Sequence, residues 1–299
     1  MNPIYIGTSG WSYPSGADKW RGIFYPPHVD ELSYYAERLP AVEVNSTFYH
    51  EPDASVAHEW VRRTPADFRF AVKLFMKFTH PGMCKNTTGQ EDNITADDID
   101  RMHGLLDIIA KHGKLLALLV QYPDFHHNTP EHYDQLINTL QIFRDYPLAV
   151  EFRDKSWEGK ATSELLQKYE AARVKVDSPA YSNIDTPDVS GISPYYRLHG
   201  RNMEAWQHRG SGNARYDYLY SENKIDEISH RLRQSTVENS VIVFFNNHPG
   251  GKALVNAVQM SSTLGITLPY SKFSHLTSLF PQLEPITGPP DEQLGLQLG

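Results

Sequence analysis

The sequence predicts a single (β/α)8 barrel of the TIM type, an α/β fold. Eight short β-rich runs recur along the chain, and most of them are followed by a helical pattern. This alternation is typical of a parallel sheet with helices packed on its outer face. The eight units also fit the roughly 250 residues that such a barrel occupies. A doubly wound open sheet is the alternative, but eight strands in this length favour the closed barrel.

The predicted strands and helices alternate from residue 4 to residue 264. Strands are predicted at 4–7, 41–47, 68–74, 115–121, 147–153, 173–177, 195–200 and 240–247. Helices are predicted at 29–38, 54–63, 96–111, 130–143, 162–171, 224–234 and 251–264. Asp53 and Thr95 precede the second and third of these helices, where their side chains can cap free backbone N–H groups.

Four segments depart from the regular pattern. Residues 178–193 contain Pro, Gly, Asn and Asp without a helical period, so the sixth helix is expected to be short or missing. The loops after strands 3 and 7, at 75–93 and 202–223, are long, and long loops in compact domains are usually functional or disordered. We therefore expect a TIM-barrel domain at 1–280 and a flexible Pro-, Gly-, Glu- and Gln-rich tail at 281–299.

The composition is that of a globular protein. Of 299 residues, 40% are hydrophobic, and 28 Lys and Arg against 36 Asp and Glu give a net charge of −8. No run of about 18 apolar residues is present, so we expect no membrane span. Cys84 is the only cysteine, which excludes an intramolecular disulfide and a zinc site built from cysteines. With no secretory signal recognisable at the start, a cytoplasmic location is expected.

Polar side chains line one face of several predicted strands. Side chains alternate across a strand, and we expect the apolar face to meet the helices and the polar face to point into the barrel mouth. These polar faces carry Glu43, Asn45, Lys73, Glu151, Arg153, Lys175, Asp177, Arg197, His199 and Arg201. Basic residues outnumber acidic ones, so the set predicts a site for an anion. The alternative is a network of ion pairs that only lines a packed barrel.

A phosphate signal follows the eighth strand. Asn246 and Asn247 end that strand, and Gly250 and Gly251 lead into a helix whose N-terminus would favour an anion. The Thr8 hydroxyl is a further candidate ligand, unless it only forms a turn. The loop after strand 7 suits stacking plus phosphate contacts, or a lid packed on the rim. It carries Trp206, His208, Arg209, Arg215, Tyr216, Tyr218 and Tyr220.

Several motifs together resemble the YecE-like family, a domain of unknown function. They are GTSGW at 7–11, WRG at 20–22, FYP at 24–26, EVNSTFY at 43–49, FRFAVK at 68–73, VEFR at 150–153, YRLHGR at 196–201 and FNN at 245–247. The resemblance spans residues 4–267 and implies a single-domain TIM barrel in a cytoplasmic, bacterial protein. It implies no reaction. It does imply that Glu43, Lys73, Glu151, Arg153, Arg197, His199 and Arg201 surround one mouth.

The layout also faintly resembles the metal-dependent sugar isomerases and abasic-site endonucleases among TIM barrels. In that group, carboxylates and a histidine on strands 5 to 8 hold a divalent metal. Glu151, Asp177 and His199 match three of these positions, whereas Asn246 stands in place of a carboxylate. A Mg or Mn site formed by these three residues is therefore a hypothesis. The neighbouring arginines would repel a cation.

The C-terminal hexapeptide QLGLQL, at 293–298, resembles the short peptides by which bacterial polymerases and repair proteins dock on the DNA sliding clamp. Its leucines would fill a pocket on that partner, and Gln293 would bind the rim of the pocket. The alternative is a frayed terminus without a partner.

These observations leave several functions open. The first is an enzyme, a hydrolase or a lyase or isomerase, that acts on a phosphate-bearing substrate. In it Glu43 and Glu151 are acid–base candidates and His199 is a proton shuttle. Lys73 lowers the pKa of a neighbouring carboxylate, acts as an electrophile, or is a Schiff-base lysine in the lyase variant. The substrate would be bound by Arg153, Arg197, Arg201, Asn45, Asn246, Asn247, Gly250, Gly251 and Thr8.

The second hypothesis narrows the substrate to nucleic acid, as in a repair-type nuclease. The acidic net charge of the chain weakens this hypothesis. The third is a non-catalytic phosphate- or nucleotide-binding adaptor.

Overall fold

A computed structural model shows a closed barrel of eight parallel strands in the order β1 to β8, as predicted. The structure describes residues 2–13, 16, 19–50, 53–80, 82–89, 91–186, 188, 192–208, 212–234 and 240–290. The strands are β1 Ile4–Ser9, β2 Ala41–Val44, β3 Arg69–Lys73, β4 Leu115–Gln121, β5 Leu148–Glu151, β6 Ala172–Asp177, β7 Tyr195–Leu198 and β8 Val241–Phe245. The strand β8 pairs with β1 and closes the barrel.

In the described part of the chain, the seven predicted helices surround the barrel, together with four short helices that the sequence pattern did not predict. They are α1 Glu31–Ala36, α2 Ser46–Tyr49, α3 Ala54–Arg62, α4 Met83–Thr88, α5 Ala96–Lys111, α6 Pro130–Ile142, α7 Lys160–Lys168, α8 Met203–Gln207, α9 Glu222–Gln234, α10 Lys252–Leu264 and α11 Glu284–Thr287. Between β6 and β7 no helix occurs in the described part of the chain, in agreement with the prediction. Both predicted caps are present, because Asp53 accepts from the Ser55 N–H and Thr95 forms a capping box with Asp98.

The region beyond residue 280 is ordered further than predicted. The short 3-10 helix Pro281–Leu283 and α11 continue the chain to Gly288, and Leu283 is fully buried against the helices around the barrel. Burial of that apolar side chain fixes a segment whose composition suggested a tail. The predicted clamp-binding peptide at 293–298 lies outside the described residues. In the part of the chain that the structure describes, no helix combines the length and apolar character needed to cross a membrane.

The interior of the barrel corrects one prediction about strand faces. Val174 and Val176 of β6 belong to the apolar cluster inside the barrel, so Lys175 and Asp177 lie on its outer face. The register agrees, since Val176 pairs with Arg197 of β7 and neighbours in a parallel sheet share a face. The predicted alternation of polar and apolar side chains along β6 is present, but the interior of such a barrel is itself packed with branched apolar side chains. An apolar face of β6 can therefore point to either side.

Candidate active site

A pocket with a volume of about 600 Å³ opens at the C-terminal ends of the strands. This is the end at which TIM barrels carry their active sites. Five of the residues predicted for the site line it, namely Asn45, Lys73, Arg153, Arg197 and Asn246. Glu43, Glu151 and His199 are fully buried, and hydrogen bonds or ion pairs connect each of them to one of these lining residues. The structure thus brings eight predicted site residues together.

Arg197 is the centre of an ion-pair network at the pocket floor. Its Nε and Nη2 atoms donate to the two carboxylate oxygens of Glu43, at 2.9 and 2.7 Å. Its Nη1 atom donates to Glu151 at 2.5 Å. The Tyr195 hydroxyl donates a further hydrogen bond to Glu43 at 2.7 Å. Because the guanidinium forms a planar fork with five N–H donors, one arginine can hold both carboxylates in fixed positions.

Glu151 is shared between two arginines. Arg153 donates from Nε to its second oxygen at 2.7 Å, and Arg153 also approaches the Gln121 side-chain oxygen at 3.4 Å. Burial alone would raise the pKa of Glu151, but Arg197 and Arg153 outweigh burial and hold that pKa well below its usual range. Glu151 is therefore ionised at any physiological pH. As a permanently charged and well-bound group it is poorly suited to accept and release protons, the role predicted for it.

Lys73 is a strand-end cation of the pocket that this network does not neutralise. Among the described residues its amine has no ion-pair partner, and Nζ lies 3.8 Å from the centre of the Phe48 ring. Burial, followed by the charges of Arg197 and Arg153, lowers the pKa of Lys73 to about 7. About half of the molecules therefore carry a neutral, nucleophilic amine near neutral pH.

Two histidines flank the network, and both are held neutral. His199 has its Nδ1 atom 2.8 Å from the Asn246 side-chain nitrogen, and its Nε2 atom lies 3.9 Å from Glu151. Burial and the Arg197 charge hold the pKa of His199 well below its usual range. His80 lines the pocket, and burial followed by the Lys73 charge lowers its pKa to about 3. In its neutral form each ring has one N–H that can donate a hydrogen bond and one ring nitrogen that can accept one.

Some predicted ligand residues serve the scaffold instead. The Thr8 hydroxyl donates to the Gly10 carbonyl and contacts the hydroxyl of Tyr35 on α1, so it faces the helices. Asn247 donates to the Tyr218 carbonyl and to Asn256 of α10, which is also a helix contact. Neither Thr8 nor Asn247 lines the pocket. Thr8 and Asn247 are in phase with the alternate strand positions whose side chains point outward, toward the helices.

The predicted glycine turn at residues 250–251 is also covered by another segment of the chain. Gly251 is buried, and a Cβ atom there would lie 3.3 Å from Ile23. The Trp20 indole N–H donates to the His248 carbonyl at 2.8 Å, so the segment after β1 lies over this turn. Gly250 and Gly251 do not line the pocket. Their positive φ angles shape the entry into α10.

Arg201 lies away from the pocket floor. Its guanidinium binds both oxygens of Asp177, and the Tyr220 hydroxyl donates to the same carboxylate at 2.8 Å. Asp177 stands on the outer side of the strands, as its pairing with Leu198 of β7 requires. The ion pair with Asp177 thus holds Arg201 outside the pocket lining.

The hypothetical metal ligands do not fit a divalent cation. Asp177 faces away from Glu151 because of the strand parity, and each carboxylate is already bound by guanidinium groups. Within the described ranges, His, Cys, Asp and Glu side chains form no cluster of three or more with the spacing of a metal site. Carboxylates so occupied cannot coordinate Mg or Mn without breaking their ion pairs.

Several pocket residues escaped prediction from the sequence. Gln121 ends β4 on its inward face, and this polar residue after a long apolar run could have been recognised. Tyr195 is buried and lies on the same inward face as Arg197. Because tyrosine is counted as hydrophobic in the strand pattern, its hydrogen bond to Glu43 was not predicted. Phe48 lies in the short helix α2 and His80 follows β3, in segments whose path the strand pattern does not determine. From the long loop after β7, Arg215 and Tyr216 line the pocket, whereas Tyr220 is buried against the barrel; Arg209 of the same loop lies outside the residues that the structure describes.

Comparison with known proteins identifies relatives of the whole barrel. Residues 5–276 match the family model described as "Protein of unknown function DUF72". The UPF0759 protein YunF of Bacillus subtilis (strain 168) is 28% identical over 287 residues, which cover 88% of this chain and 95% of YunF.

Two solved structures have the same architecture. A DUF72 family protein from Enterococcus faecalis V583 superposes with a TM-score of 0.75 at 25% identity, over 88% of this chain and 96% of that one. A DUF72 family protein from Thermotoga maritima MSB8 gives a TM-score of 0.70 at 29% identity, over 88% and 99% of the two chains. None of these descriptions states a reaction.

Proposed function

This chain belongs to the DUF72 family, for which no function is given, and from its own site we propose that it is an enzyme that forms a Schiff base through Lys73. The substrate would be a small carbonyl compound that carries a phosphate. The observation that supports this most directly is Lys73 itself, a partly buried lysine whose amine has a pKa of about 7 at the wall of a pocket. A desolvated lysine beside other cations is a known way to obtain a neutral amine nucleophile at neutral pH.

The ion-pair network explains how the amine stays neutral. Arg153 and Arg197 balance the charges of Glu43 and Glu151, so a protonated Lys73 adds an excess positive charge. Loss of its proton leaves the buried cluster electrically balanced, which is the cheaper state away from water. In this proposal the two carboxylates fix the arginines and do not transfer protons.

The chemical step needs only the amine and a proton source. The lone pair of neutral Lys73 attacks the carbonyl carbon, and the carbonyl oxygen takes up two protons, one from Nζ itself and one supplied by solvent in the open pocket, and leaves as water. The product is an iminium that carries one positive charge on the former Nζ atom. A phosphate bound near Arg153, whose side chain is 21% exposed, would stabilise that charge. Asn45 and Asn246 supply further polar contacts on the pocket wall.

Reductive trapping tests the proposal. The protein is incubated at pH 7 with glycolaldehyde phosphate and sodium cyanoborohydride, and the modified lysines are mapped by mass spectrometry. Lys160, an exposed surface residue, is the matched control. At pH 7 about half of Lys73 is neutral, against about 0.03% of an ordinary lysine. We expect Lys73 to be labelled first.

The phosphate group has its own control. Plain glycolaldehyde should label Lys73 more slowly than glycolaldehyde phosphate, and Arg153→Met should remove this difference. Labelling of Lys73 no faster than that of Lys160 would refute the proposal and leave a site that only binds anions.

A further inference from the structure

Large apolar side chains are exposed around one side of the pocket. Tyr49, Met83 and Phe125 are 49%, 40% and 58% exposed, and all three line this pocket. They are half of the strongly exposed large hydrophobic residues in the described part of the chain. Exposed apolar groups scattered singly need no explanation, but a group at the mouth of a pocket indicates a ligand contact. We call these three residues the apolar rim.

The apolar rim comes from three consecutive loops. Tyr49 ends α2 after β2, Met83 begins α4 after β3, and Phe125 follows β4. Neighbouring strands place their loops side by side, so the rim forms one continuous side of the entrance. Beneath it lie the ring of Phe48 and the amine of Lys73. The pocket therefore has a cationic floor and an apolar entrance.

We propose that the apolar rim binds a flat apolar group of the substrate, so that the substrate class is a phosphate ester with an aromatic or similarly flat apolar end. This inference rests on the proposed function, because it assumes that phosphate occupies the floor near Arg153. The size of the pocket agrees with it. A cavity of about 600 Å³ exceeds the needs of a phosphate on a short carbon chain and falls in the range of larger ligands.

Calorimetric titration with two simple probes tests the inference. Methyl phosphate and 1-naphthyl phosphate share the anionic group and differ in the flat apolar one. We expect naphthyl phosphate to bind the full chain at least roughly fivefold more tightly, since ring contacts of this kind add to binding. Phe125→Ser should remove most of that preference.

Leu279 provides a matched control. It is 59% exposed, close to the value for Phe125, and lies outside the pocket lining. Leu279→Ser should leave the affinity for both probes unchanged. Equal affinity for the two probes, loss of preference in both variants alike, or no binding of either probe would overturn the inference. Lys73 trapping uses no aromatic group, so trapping that succeeds without a naphthyl preference would refute the rim inference alone.

Discussion

Replacement of Lys73 by methionine should make the protein more stable near pH 6 and should lose this advantage as the pH rises. The pKa of Lys73 is about 7 in the folded protein and 10.5 for an ordinary lysine. Between these values the unfolded chain holds a proton that the folded one has released, so folding stability increases with pH through this window. Below pH 7 both states are protonated, and the penalty for the buried charge is fully present.

The size of the effect follows from the pKa difference. About 3.5 units at about 1.4 kcal/mol each give roughly 5 kcal/mol as the full penalty at low pH. Lys73→Met keeps a similar side-chain volume and removes the charge. Its gain over the wild type should therefore be roughly 5 kcal/mol at pH 6 and about 1.4 kcal/mol at pH 9.5, where an ordinary lysine is still mostly protonated.

Urea denaturation of both proteins at pH 6 and pH 9.5 measures this difference directly. Lys77→Met is the control, because Lys77 is a lysine four positions further along the chain that is buried and pairs with Asp98 at 2.7 Å. That variant should be less stable than the wild type at both pH values, since it leaves a carboxylate unpaired. A stability difference for Lys73→Met that stays constant between the two pH values would refute the assignment of a neutral lysine.

Two further predictions concern the framework around the site. Arg197→Met should lower the free energy of unfolding by about 3–5 kcal/mol in urea denaturation, because it leaves buried Glu43 without its cation and Glu151 with only Arg153, whereas Arg62→Met at an exposed ion pair should cost less than about 1 kcal/mol. Equal losses would contradict the central role of the network. Gly7→Ala should prevent stable folding, because its Cβ would lie 1.9 Å from the Ala41 carbonyl oxygen, while Gly104→Ala in the open face of α5 should raise stability by about 0.5–1 kcal/mol in thermal unfolding. A folded Gly7→Ala protein of normal stability would show that the two strands can separate locally.

The strand pattern located the mouth but not the pairing within it. Glu43 and Arg197 are 154 positions apart, and nothing in the spacing shows that one arginine binds both carboxylates. The prediction of an anion site counted Lys175, Asp177 and Arg201 among the inward charges. The structure places all three elsewhere and leaves Lys73 as the charge without a counterion. The reactive candidate emerged only after the other charges had been paired.

Several features followed from the sequence alone. They are the alternation of strands and helices, the closed barrel, the missing sixth helix and the polar ends of β2, β3, β5 and β7. These features depend on hydrophobic periodicity and on local backbone preferences, which act over a few residues. The face of β6, the bonds of Arg197 and the pKa of Lys73 depended on the tertiary structure. A barrel packs apolar side chains on both sides of its strands, so periodicity does not distinguish inside from outside. The charge state of a buried amine is set by burial and by cations that distant parts of the chain bring next to it.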